Sequence, residues 1–297
     1  MCQEVTYEET QELLTRCLST ASPNTKSIYS SEVLRLCRYY QSEFLDLTDD
    51  QIRDYYLVHL NKRITGGDAT HTRLNPASAR VAYFAVKRLY DELHAEDSPL
   101  FKTEILAIED AGVAIDELPT RSDFSAFLTA LQELCANNPP FFSSLSLACH
   151  LAFYCGLRKS EIFALQVGDF ISIDSLYGHL LVASGTSAER HIYMPSELVS
   201  VVKAHLRLYG TNTSSLLLNR RGKPLTGSVC EKQLRKAAEA CGIPKRFHLQ
   251  AMRSACILRC IGPGCDYDAI MNYFGVKKEF LYRLRCIQKN QEEWNAL

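Results

Sequence analysis

Cys155-Gly156-Leu157-Arg158-Lys159-Ser160-Glu161-Ile162 and Gln250-Ala251-Met252-Arg253-Ser254-Ala255 are the two stretches on which the reading of this chain turns. In each, one arginine sits inside an apolar pattern at helical spacing, where a charge is not buried without a partner. A guanidinium presents a planar fork of donors that matches a phosphate, so two of them on one domain suggest a clamp on a phosphodiester. Structural ion pairs are the competing reading of the same two residues.

The chain has 297 residues, enough for two domains that each bury a core. It holds no run of about 18 apolar residues that would span a membrane. The first residues carry Glu4, Glu8, Glu9 and Glu12 rather than a basic and then an apolar segment, so no leader and a cytoplasmic location are expected. None of the twelve cysteines falls in a Cys-x-x-Cys pair, and Cys256 and Cys260 fit one helix face, so free thiols rather than a metal site are expected. The net charge of −1 hides an asymmetry: residues 1–118 hold 12 Lys and Arg against 20 Asp and Glu, the remainder 21 against 14. Much of the excess lies after Leu218, including Arg220, Arg221, Lys223, Lys245, Arg246, Lys277, Lys278, Arg283 and Arg285. A basic second half suits a phosphate-tracking surface, although a merely solvated basic face reads the same from charge alone.

Apolar spacing predicts helices over the first hundred residues: Ser30–Tyr40, one opened by the capping-box spacing Thr48…Gln51 and continuing through Leu60, and one from Ala77 to His94. A polar loop from Thr65 to Asn75 separates the last two. The proline-containing stretch around Asp116–Thr120 marks a boundary, giving domains 1–115 and 119–297, with a helix starting near Ser122. Two helices broken at Gly156 are predicted between Ser143 and Leu165. Ile171–Ile173, His179–Val182 and His191–Met194 read as a small antiparallel sheet, and helices follow to the end. The expected fold class is mainly α with one small sheet.

With Phe163-Ala164-Leu165-Gln166-Val167-Gly168-Asp169 the first stretch resembles the first arginine box of the tyrosine recombinase (phage integrase) family. The second resembles that family's His-x-x-Arg box, and Asp266, Ile270 and Phe274-Gly275 continue the likeness. The resemblance implies a helical core-binding domain followed by an integrase-like catalytic domain, double-stranded DNA as partner and no cofactor. It also implies a tetramer on DNA held by an exchanged C-terminal tail; Ile287, Gln291, Trp294 and Leu297 have helical spacing for such a contact. In the family two arginines bind the nonbridging oxygens while a tyrosine attacks, forming a 3′-phosphotyrosyl bond. A hairpin lysine and two histidines serve proton transfer.

Carried over to this sequence, Arg158 and Arg253 match, as do Glu161, Asp169 and the Glu189-Arg190 ending of the hairpin. The hairpin Ser184–Ala188 has no lysine, Gln250 replaces the first histidine, and Val276 replaces the second. Gln250 donates a hydrogen bond but transfers no proton near neutral pH. The gap-free nucleophile position is Arg285; Tyr282, about one helical turn earlier, is the candidate nucleophile. Lys223 and Lys203 are candidate substitutes for the lysine, and His248 and His191 for the histidines. Arg190, Arg220, Lys223, Lys245 and Arg246 are the expected DNA contacts. Three hypotheses follow: a DNA-cutting enzyme, a recombinase-like DNA-binding module, and an interaction protein docked through its tail.

Overall fold

The computed structural model describes residues 6–55, 76–93, 118–173, 177–209, 215–242 and 247–285. The Thr65–Asn75 loop, most of the boundary stretch, Lys245, Arg246 and the tail from Ile287 onward lie outside the described residues. The chain divides into two compact units, Met1–Ala111 and Gly112–Leu297.

The first unit is helical: α1 (Glu8–Cys17), α2 (Pro23–Tyr40), a short 3-10 turn (Phe44–Asp46), α3 (Asp49–Asp54) and α4 (Pro76–Leu93). Helix α2 begins earlier than apolar spacing predicts. Ser22 caps it by accepting the Thr25 N–H, and Pro23 fills the first turn, where a missing N–H costs nothing. Thr48 and Gln51 form the predicted capping box at the start of α3. Val33, Leu36, Ile52, Val86 and Leu89 are the centre of this unit's core.

The second unit begins with α5 (Arg121–Leu134), whose first turn is closed by a Thr120–Asp123 capping box. Helix α6 (Pro139–Cys155) follows, with Leu145, Leu147, Cys149, Leu151 and Phe153 wholly buried. A helix buried on every side is a core strut, and α6 packs against both α8 (Ser196–Tyr209) and α10 (Leu249–Cys260). Between them come α7 (Lys159–Ala164), β1 (Phe170–Ile173), β2 (Gly178–Val182) and β3 (Arg190–Met194). The three strands form one antiparallel sheet in chain order, with Val182 opposite Arg190 and Gly178 opposite Met194. Burial alternates along β2, so one face of the sheet is applied to the core. Helix α9 (Gly227–Cys241) packs on α5; α11 (Tyr267–Phe274) and α12 (helical residues 278–285) close the unit. No helix among the described residues is long and apolar enough to cross a membrane, and none of their His, Cys, Asp and Glu side chains cluster as metal ligands.

Gly156 is the break between α6 and α7 that the sequence predicts. Its φ of +59° is left-handed, and a Cβ there would lie 2.6 Å from Cε1 of Phe274, so both conformation and space require glycine. Gly156→Ala is expected to cost about 2–4 kcal/mol, adding left-handed strain to overpacking. Urea unfolding measures this, and a loss below about 1 kcal/mol would show that Phe274 yields easily.

Candidate nucleic-acid interface

Helix α7 starts at Arg158, and Glu161 sits one turn in. Glu161 Oε2 accepts the Arg158 backbone N–H at 2.7 Å while Oε1 accepts Arg158 Nη1 at 2.8 Å. A carboxylate in the first turn of a helix is favoured by the exposed N–H groups there. Arg190, at the start of β3, donates Nη2 to the same Glu161 Oε2 at 2.9 Å and Nε to the Tyr273 carbonyl at 2.9 Å. Arg253 Nη1, from α10, lies 3.9 Å from Oε2. Three arginines far apart in sequence therefore surround one carboxylate.

They are not equivalent. Arg253 is 3% exposed; its Nη1 donates to the Gly156 carbonyl and its Nη2 to the Phe274 carbonyl at 2.8 Å. Burial, and after it the Arg158 charge, pull its pKa down to about 10, still charged at neutral pH. The Arg190 side chain is 10% exposed, with Nε and Nη2 engaged, whereas the Arg158 side chain is 41% exposed. Gly275, with φ +60°, brings backbone against the Arg158 guanidinium: a Cβ there would lie 3.1 Å from Nη1. Arg158 is thus fixed on one edge and open on the other.

The open edge faces a cleft of about 570 Å³ whose lining includes Arg158, Gln250, Arg253, Lys277, Glu279 and Arg283. A neighbouring cleft of about 750 Å³ shares Arg158 and Lys277 and reaches the hairpin at Ser187–Arg190. Arg158, Arg253 and Gln250, expected from sequence as one constellation, line the first cleft together. Tyr282 does not. It is 46% exposed, its ring centroid 5.9 Å from that of Tyr267, with Lys278 Nζ 5.6 Å from its own. At about 100° per residue, buried Leu281 and Leu284 direct one face of α12 inward and leave Tyr282 and Arg283 exposed on the outer side, about 100° apart. Arg283 takes the cleft side.

The other expected contacts are dispersed. Arg220 lies over the Phe141 ring at 5.1 Å, and Lys223 is exposed on a turn whose N–H groups Asn219 Oδ1 accepts. Neither lines the clefts beside Arg158. His248 caps α10 through Nδ1, accepting the Ala251 N–H at 3.1 Å, and His191 is exposed on β3. Sequence reasoning passed over Lys159, Lys277 and Arg283 as cleft residues. The signal available for Arg283 was the Leu281/Leu284 spacing, which orients α12.

Glu161 carries a testable pH dependence. Burial alone would raise its pKa, but hydrogen bonds and charges from Arg190 and Arg158 outweigh that and hold it below the ordinary value of 4.5. A lowered folded pKa means stability present in full above the unfolded value and lost as pH falls through the folded one. Glu161→Gln is expected to cost about 3 kcal/mol at pH 7, because Arg190 loses its carboxylate in a nearly buried place. The parent should also lose more stability than the variant between about pH 5 and 3, in denaturant unfolding at each pH. Equal losses would show that Glu161 is not the anchor.

The chain is similar in sequence to a tyrosine recombinase of Pseudothermotoga lettingae, 21% identical over 261 residues, covering 86% of this chain and 85% of that protein. It is also similar to the tyrosine recombinase XerC of Chromobacterium violaceum, 29% identical over 127 residues, or 42% of each chain. In fold it resembles the XerH site-specific recombinase bound to palindromic difH substrate in a post-cleavage complex. The TM-score is 0.71 at 14% identity, covering 99% of this chain and 85% of that one. A lambda integrase tetramer bound to a Holliday junction gives a TM-score of 0.64 at 17% identity, covering 95% and 78%. A profile of the phage integrase family matches residues 124–279, more than half of the chain, and the protein belongs to that family.

Proposed function

We propose that this protein holds duplex DNA by gripping a phosphodiester at Arg158, and that it does so without cutting the strand. The cationic cleft beside Arg158 carries the reading: it joins both arginine boxes and Gln250, while Tyr282 lies outside its lining and stacks on Tyr267. A guanidinium anchored on one edge and open on the other is preorganised for a phosphate oxygen. The hairpin lysine and both histidines of the family are replaced, and general acid–base groups contribute roughly 10²–10⁴-fold each, so the inherited reaction has lost its proton carriers. Relatives bound to DNA, such as XerH and the lambda integrase tetramer, support DNA as the partner. Self-association on DNA through the tail Arg285–Leu297 belongs to the same reading. The enzyme reading retains one observation in its favour, the exposed phenol of Tyr282 on the helix that borders the cleft.

Two measurements separate the readings. Arg158→Ala should weaken duplex binding at least about tenfold, the loss of a charged hydrogen bond worth about 1.5 kcal/mol, and should leave a folded protein. A suicide duplex with a bridging 5′-phosphorothiolate, whose sulfur leaves without a proton, should yield no covalent adduct. A 3′-phosphotyrosyl adduct removed by Tyr282→Phe would replace the holding reading with the enzyme.

A further inference from the structure

Lys159 follows Arg158 in the chain, yet its side chain is seated by a different element. On α7 it shares a face with Phe163, one turn on, and Gly227, the first residue of α9, lies against both. A Cβ on Gly227 would run into Cε of Lys159, and would lie 3.2 Å from its Nζ and 3.4 Å from Cε2 of Phe163. The Gly227 backbone is not left-handed, so it is this neighbouring stem, not the turn, that excludes a larger residue. The ion pair of Lys159 with Glu231 does not account for the seat. Nζ stands 3.7 Å from Oε1, beyond hydrogen-bonding reach, and the lysine side chain is 48% exposed, so the pair contributes little. The free N–H groups at the start of α9 also oppose a cation. What the notch does is hold an ammonium at the cleft that Arg158, Gln250 and Arg253 line.

We propose that Lys159, seated on Gly227, binds a second phosphate of the duplex beside the one at the two arginine boxes, and that Gly227 positions it. The inference rests on the duplex-holding reading above and leaves the first phosphate to Arg158 and Arg253. The Cα atoms of Arg158 and Lys159 are about 3.8 Å apart. The Arg158 guanidinium is held by Glu161 and packs on Gly275, whereas the Lys159 stem lies on α9. Two cations that leave the chain side by side and are held by different elements meet two points of a strand rather than one. A compact ammonium, lacking the fork of a guanidinium, suits a backbone phosphate that only fixes the register of the duplex.

The test uses the full chain and a mixed-sequence duplex oligonucleotide, with affinity measured across a salt series. Each phosphate contact adds about 0.9 to the slope of log affinity against log salt, so Lys159→Ala should lower the slope by about 0.9. Gly227→Ala should lower it too, by moving the ammonium off its seat. Its melting temperature should stay at or above that of the parent, because alanine suits the first turn of a helix. In a chain that already carries Lys159→Ala, Gly227→Ala should change the slope no further. A folded Lys159→Ala variant that keeps the parent slope, while Arg158→Ala lowers it, removes the second phosphate contact. Gly227→Ala that leaves the slope unchanged, or lowers it equally with and without the lysine, shows that the glycine does not position it. A parent chain that ignores the duplex at low salt overturns the duplex-holding reading itself.

Discussion

One carboxylate holds together charges that repel one another. Glu161 accepts from Arg158 at 2.8 Å and from Arg190 at 2.9 Å, with Arg253 at 3.9 Å. Without it, three guanidinium groups would crowd a nearly buried space, and the fall of the Arg253 pKa to about 10 registers how much burial and Arg158 oppose its charge. With it, α7, β3 and α10 meet at one point. The Arg253 bonds to Gly156 and Phe274 and the Arg190 bond to Tyr273 then fasten the end of α11 to the same point. Such a network costs desolvation, and removing its anion leaves cations without compensation.

The outward consequence is a division of labour among arginines that look alike in sequence. Arg253 and Arg190 are nearly buried and brace neighbouring carbonyls and Glu161 at the floor of the clefts; Arg158 keeps an edge toward solvent. The side of α12 then decides what an incoming phosphate meets. Arg283 lies on the cleft side, and the Tyr282 ring stacks with Tyr267 away from it. In the proposed function this is the difference between holding a strand and cutting it.

Much of this was legible in the residues. Gly156 announces the helix break, the Thr48–Gln51 box announces a helix start, and the strands fall where β-rich runs predict them. The convergence of Arg158 and Arg253 followed from family spacing, not from periodicity. What the sequence left hidden is direction. Arg190 reads as a DNA contact, and nothing local tells that it also holds Glu161 and the Tyr273 carbonyl while lining the second cleft. Lys277 read as one more surface charge, because nothing local tells that Gly275 folds its backbone onto Arg158. Tyr282 was placed by counting residues, which does not tell that its ring stacks on Tyr267 outside the lining of the cleft.

The most direct measurement is a structure of the full chain bound to a DNA duplex. The account predicts a phosphate oxygen within about 3 Å of the Arg158 guanidinium, in the cleft that Arg158, Gln250 and Arg253 line, and the strand intact. Duplex bound on another face, with Arg158 touching no phosphate, would contradict it.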